Sequence, residues 1–154
     1  MEQQHQIELG GVVLSIKMDR VDRTEDGRRI LIDYKSGKVN RADWEGERPK
    51  APQLPLYAIL LEQVAAVLYS QIKADEVLYK GEQQEEAVLA GAQGGKRRPA
   101  VTVSENWSAQ LKQWHHAVEA LAIEFRNGVA TVDPQKGSSS CQYCGLEPLC
   151  RVEL

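Results

Sequence analysis

Apolar and polar positions alternate over the first third of the chain. Ile7 and Leu9 alternate with polar neighbours, and Val12 to Arg23 is rich in β-branched and aliphatic residues, the period-two pattern of half-buried strands. Gly10-Gly11 between them is a two-residue hairpin signal. After Thr24-Glu25-Asp26-Gly27-Arg28, the run Arg29-Ile30-Leu31-Ile32-Asp33-Tyr34-Lys35 completes a predicted three-stranded meander, with its second tight turn at Asp26-Gly27. From Ser36 to Pro52 the pattern stops, and Gly37, Gly46, Pro49 and Pro52 mark a loop.

The spacing then becomes helical. Leu54 and Leu61, with Tyr57, Leu60 and Val64, predict a short helix beginning near Gln53. Pro52 and Pro55 fit its first turn, where backbone donors have no intrahelical partner. Ala66 to Ile72 reads either as its continuation or as a buried strand, and the strand is favoured, with another around Val77 to Tyr79. Residues 81–100 are polar and glycine-rich and end in Gly94-Gly95-Lys96-Arg97-Arg98-Pro99, an exposed loop or hairpin tip. After Ser104 as N-cap, Trp107, Leu111, Trp114, Val118, Leu121 and Phe125 form one face of a long helix ending at Asn127-Gly128. The tail from Asp133 to Leu154 reads as a cysteine-bearing loop, and no internal repeat is present.

At 154 residues and 17.2 kDa the chain has room for a single domain, which excludes a complete helicase or polymerase. With 42% hydrophobic and 27% charged residues and a mean hydropathy of -0.43, its composition is that of a soluble globular protein. No long apolar run suits a membrane and the first residues lack signal-peptide order, so the cytoplasm is the expected compartment. A net charge of -3 argues against coating nucleic acid through bulk charge. It leaves room for a local basic patch, and Lys35, Lys38, Arg41, Arg48 and Lys50 fall in or beside the 36–52 loop.

The turn at Asp26-Gly27 decides which residues face each other. If Glu25-Asp26-Gly27 is a three-residue loop with glycine left-handed, Asp19 lies opposite Asp33. Lys35 shares that strand face and Tyr34 points the other way. Opposed carboxylates have β-carbons only about 5 Å apart and repel, so they are either solvated or share a cation. Mg²⁺ suits such a pair, because it accepts one or two carboxylates and completes its shell with water and phosphate oxygens. Lys35 would then orient an attacking water or offset charge on a phosphate. The alternative is a solvated hairpin face with an ordinary Asp-Lys pair. A two-residue turn would shift the register by one and undo the pairing.

Four ordered motifs carry a resemblance. Met18-Asp19-Arg20-Val21-Asp22-Arg23, Ile32-Asp33-Tyr34-Lys35-Ser36-Gly37, Pro52-Gln53-Leu54-Pro55-Leu56-Tyr57-Ala58 and the closing Cys-x2-Cys-x5-Cys-Arg span roughly residues 10 to 151. Together the chain resembles the PD-(D/E)XK nuclease superfamily, in particular the RecB/AddB-like exonuclease branch. The resemblance implies an α/β, restriction-endonuclease-like fold with a mixed central sheet and flanking helices. It implies Asp19 and Asp33 as ligands of Mg²⁺ or Mn²⁺, with the Tyr34 carbonyl as another, and Lys35 as the catalytic lysine. It places Gln53 and Tyr57 in the site, and positions i and i+4 do share a helix face. Asp22 is expected on the opposite strand face, outside the metal site.

The implied reaction is phosphodiester hydrolysis of DNA by a metal-activated water, in repair or recombination, beside a helicase or other repair subunit and away from membranes. Lys38, Arg41, Lys50 and also Lys96, Arg97 and Arg98 would track the DNA backbone. Trp44 would stack on a base or else anchor its loop.

All three cysteines, Cys141, Cys144 and Cys150, lie in the 133–154 tail. Their spacing suits thiolate ligation of zinc or an iron-sulfur cluster better than a disulfide in a reducing compartment. In the resembled branch three such cysteines and one upstream hold a 4Fe-4S cluster; this chain has no upstream cysteine, so an incomplete cluster site is expected. The branch also has a helix before the first strand, often bearing a histidine, whereas here strands begin almost at Met1 and His5 lies too near the first strand to stand for it. His115 and His116 read as ordinary helix residues. A C-terminal fragment of a longer protein, lacking the N-terminal helix, is therefore expected. The leading reading is a metal-dependent DNA exonuclease domain. The alternatives are an inactive nuclease-fold module that binds DNA or a partner, and a small zinc-binding protein that would need a fourth ligand.

Overall fold

The turn that sets the register forms as a three-residue loop. In the computed structural model, which describes residues 3–73, 76–89, 101–135 and 138–150, Gly27 has a φ of +89°, a conformation that favours glycine. The Thr24 N–H donates to the Arg28 carbonyl at 2.9 Å and closes the loop. Strand β3 (Arg20–Arg23) therefore pairs antiparallel with β4 (Arg29–Lys35), with Arg20 opposite Ile32 and Arg23 opposite Arg29.

The predicted meander is corrected at Asp19. Val12 to Arg23 is not one strand: β1 (Gln3–Leu9) and β2 (Val12–Met18) form a two-stranded sheet of their own, and the chain bends at Asp19 before β3 joins a second sheet. The Asp19 carboxylate accepts the Tyr34 N–H at 3.1 Å, so a side chain takes a donor of β4 just beyond the first β3–β4 partners.

Helix α1 (Gln53–Leu60) connects β4 to β5 (Val64–Lys73), its parallel neighbour. Leu54, Tyr57 and Ala58 are buried, which is why a helix of only eight residues holds here. Antiparallel β6 (Glu76–Gln83) and then β7 (Val101–Val103), parallel to β6, complete the order β3-β4-β5-β6-β7. The long helix α2 (Trp107–Arg126) starts two residues later than expected. Asn106 caps it by accepting the Ala109 N–H at 3.0 Å, while the Ser104 N–H donates to the Gln83 carbonyl at 2.8 Å and prolongs the β6–β7 pairing.

The result is a mixed α/β architecture, a five-stranded mixed sheet with flanking helices, consistent with a restriction-endonuclease-like fold. One sheet face carries Leu31, Val67 and Tyr69 against Leu54, Tyr57 and Ala58 of α1 and Trp107 and Trp114 of α2. The other carries Ile30, Ile32, Ala66 and Leu68 against Val88 and Val101. Trp114 packs edge-on to both Trp44 (6.0 Å between ring centroids) and Trp107 (5.9 Å). The apolar stripe of α2 leaves the core before its end, since Phe125 is 76% exposed. The β1–β2 turn rests on that last stretch: a Cβ at Gly10 would press on Ile123 and Ala122, and one at Gly11 would strike the Arg126 side chain.

The tail is not wholly a loop. It contains two single helical turns, α3 (Ser138–Cys141) and α4 (Glu147–Cys150). Lys96, Arg97 and Arg98 lie outside the described residues. Among the described residues no helix is long and apolar enough to cross a membrane.

Candidate active site

Strand β4 presents Leu31, Asp33 and Lys35 on its helix-covered face, following the period of two. Leu31 is part of the core, Asp33 is 2% exposed, and Lys35 reaches the edge of the packed region. The Lys35 Nζ lies 2.8 Å from the Asp33 Oδ2, and beyond that ammonium the oxygen has no hydrogen-bond partner. Burial pushes the Asp33 carboxyl above the usual carboxylate range; Lys35 opposes the rise and the charge of Asp19 adds to it. The Asp33 carboxylate in turn pushes the Lys35 ammonium up, so it stays protonated at neutral pH.

Asp19 stands at the bend between the two sheets, exposed and held by the Tyr34 N–H. Asp22 points elsewhere and pairs with Arg20 through two contacts of 2.7 and 2.8 Å. Tyr34 turns its ring away, 42% exposed, with its hydroxyl accepting from Arg20 Nη1 at 3.3 Å. Across the parallel pairing, Asp33 is the register partner of Tyr69 and Lys35 that of Gln71. Tyr69 accepts the Trp44 indole N–H at 2.7 Å, and burial pushes its phenol up. Gln71 donates to the Gly37 carbonyl at 2.6 Å and so ties down the chain just after Lys35.

From α1, Gln53 Nε2 donates to the Tyr57 hydroxyl at 3.1 Å, and that hydroxyl donates to the Lys17 carbonyl at 2.7 Å. A cleft of about 490 Å³ opens there, lined by Leu14, Ile16, Lys35, Gln53, Tyr57 and Tyr69. The structure thus brings Lys35, Gln53 and Tyr57 to one cleft, with Asp33 paired to Lys35 and Asp19 near enough for its charge to act on Asp33. Tyr69 and Gln71 were missed because they sit in a run that reads only as a buried strand; their proximity requires knowing that β5 lies beside β4.

The basic loop is less open than its composition suggests. Arg41 is held between Glu45 (2.8 Å) and the buried Glu82 (3.0 Å), so its charge is engaged inside the protein. Arg48 pairs with Asp133 at 2.7 Å. Trp44, 1% exposed, anchors its loop in the core and offers no face to a base. Lys38 and Lys50 are exposed. His115 and His116 lie on the exposed side of α2, His115 with Glu119 at 3.6 Å.

Two carboxylates with hard oxygen donors fit Mg²⁺ or Mn²⁺, since such an ion keeps several waters and does not need a closed protein cage. A cation beside Asp19 and Asp33 relieves the unfavourable charge that burial and mutual repulsion impose on Asp33. Among the described residues no three His, Cys, Asp or Glu side chains gather into a group able to hold a metal. A two-carboxylate Mg²⁺ site needs no such group, and Cys141, Cys144 and Cys150 are free thiols.

A family model described as the PD-(D/E)XK nuclease superfamily matches residues 1–151. No curated protein and no solved structure matches the chain.

Proposed function

The chain belongs to the PD-(D/E)XK nuclease superfamily, and on that premise we propose that it hydrolyses phosphodiester bonds in DNA as a Mg²⁺-dependent deoxyribonuclease. The observation that carries this reading is the convergence of Asp19, Asp33 and Lys35 beside an open cleft. The order of the four motifs supports the finer assignment, a RecB/AddB-like domain of exonuclease type. Such a domain would serve DNA repair or recombination in the cytoplasm, alongside a helicase or other repair subunit.

A bound Mg²⁺ or Mn²⁺ would supply a water of lowered pKa and polarise the scissile phosphate. Asp19, Asp33 and the Tyr34 carbonyl are the groups that would hold it. Strand β4 sets the direction of Asp33 and the Tyr34 N–H holds Asp19, which pre-arranges the two carboxylates for the ion. The Lys35 ammonium orients the attacking water and offsets charge growing on the phosphate. Gln53 and Tyr57, joined to each other and to the end of β2, shape the cleft beside it. Lys38 and Lys50 are free to follow the DNA backbone. Cys141, Cys144 and Cys150 are the residues a 4Fe-4S cluster would use in the finer assignment, and no step of the hydrolysis depends on them.

The test is hydrolysis of linear single- and double-stranded DNA with Mg²⁺ or Mn²⁺, comparing wild type with Asp33→Ala and Lys35→Ala. Wild type is expected to cut, to stop in EDTA, and to lose about 100- to 1,000-fold in rate on either substitution. Equal cutting by both variants would remove Asp33 and Lys35 from the site. No cutting by the wild type would leave an inactive nuclease fold that binds DNA or a partner.

A further inference from the structure

Tyr69 is a buried phenol whose proton is uncommitted. It is 4% exposed, and as the register partner of Asp33 on the adjacent parallel strand it leaves the same face of the sheet. Its oxygen accepts the Trp44 indole N–H at 2.7 Å. An indole can only donate, so that bond occupies a lone pair of the phenol and leaves its O–H unused. Among the described residues no hydrogen bond carries that proton to an acceptor, and the neighbouring Asp33 Oδ2 has no hydrogen-bond partner beyond the Lys35 ammonium either. Lys35, which lines the same cleft, cannot, because an ammonium has no lone pair. Buried donors are rarely left unpaired. A free donor beside an ammonium, at a cleft, calls for an anionic oxygen.

We propose that Tyr69 is a further catalytic residue, its hydroxyl donating a hydrogen bond to a non-bridging oxygen of the scissile phosphate. This rests on the nuclease reading above. No proton is transferred: the phenol stays intact while the attacking oxygen bonds to phosphorus and the ester oxygen leaves. As charge accumulates on the non-bridging oxygens, the bond strengthens, so its effect falls on kcat more than on KM.

A purely structural role, in which the hydroxyl only satisfies Trp44, makes a different prediction. Tyr69→Phe would then lower stability by stranding the indole N–H and leave kcat unchanged. The proposal expects Tyr69→Phe to lower kcat about 10- to 100-fold with KM within about twofold. The double variant Tyr69→Phe/Trp44→Phe, which removes both hydrogen-bonding partners, should keep kcat equally low. A readout without turnover comes from NMR of protein labelled at tyrosine ¹³Cζ, in EDTA, titrated with a short thymidine oligonucleotide. The resonance absent from Tyr69→Phe should move on titration; a stationary resonance overturns the proposal. Unchanged kcat in Tyr69→Phe also overturns it and leaves the nuclease reading intact. If the wild type cuts nothing, the nuclease reading fails, and the titration alone decides whether Tyr69 meets a phosphate.

Discussion

The acid-lysine centre and the cysteine tail are both compact motifs in the sequence, yet among the described residues only the first converges in space. Asp33 and Lys35 share a face because a strand has a period of two, and Asp19 joins them because the Glu25–Gly27 loop holds β3 against β4 in one register. In the tail, Cys141 and Cys150 sit on separate single-turn helices whose bonds are local, Cys144 N–H to the Cys141 carbonyl at 2.9 Å and Cys150 N–H to the Leu146 carbonyl at 3.1 Å. Tyr143 and Leu149 beside them are 93% and 78% exposed, so neither of these side chains packs the thiols in place. Ligand spacing becomes a site only when a packed scaffold closes the distances.

The sharpest way to break that contrast is Asp19→Asn against Asp22→Asn. The first should lower the rate of DNA hydrolysis about 100-fold or more and the second should leave it within about twofold; equal losses would mean that the register does not select the acid. Next in size is Arg41→Ala, which strands the buried Glu82 and should cost about 2 kcal/mol, or about 4–8 °C in melting temperature. A shift under 1 °C would show that Arg41 is free for DNA after all. Asp33→Asn acts in the opposite direction on stability. Without metal it removes a buried charge and should raise the melting temperature by about 2–4 °C while abolishing hydrolysis, whereas a drop would mean that the pair with Lys35 outweighs burial. The smallest effect is expected of Cys141→Ser/Cys144→Ser/Cys150→Ser: under about 1 °C and no change in rate on apoprotein reconstituted with Mg²⁺ alone. A large loss of either would give the tail a structural or catalytic role.

Much of the centre could be read from the residues because its determinants are local. Asp-Gly signals the left-handed turn, the turn sets the register, and the period of two puts Asp33 and Lys35 together. Helix α1 was legible for the same reason, from apolar spacing and prolines confined to its first turn. The break at Asp19 was not, because apolar residues continue through it from Val12 to Val21 and nothing nearby announces a change of sheet. Nor was the company that β5 keeps. Tyr69 becomes a neighbour of Asp33 only through a parallel pairing made across α1, and no local pattern encodes strand order. Trp44 illustrates the converse: its loop looks basic and open, but the indole is drawn into the core by Tyr69 and Trp114.

Asp19 belongs to neither sheet, and that makes the β1–β2 ribbon a lever arm. Its seven-residue strands extend about 23 Å, with the far tip seated on the last turns of α2 at Gly10 and Gly11 and the near end terminating in the carboxylate. A side chain added at Gly11 would meet the Arg126 side chain and strain a backbone held at a φ of +78°. The ribbon that leads into the carboxylate is thus seated, at its other end, on a helix terminus that touches none of the reacting groups.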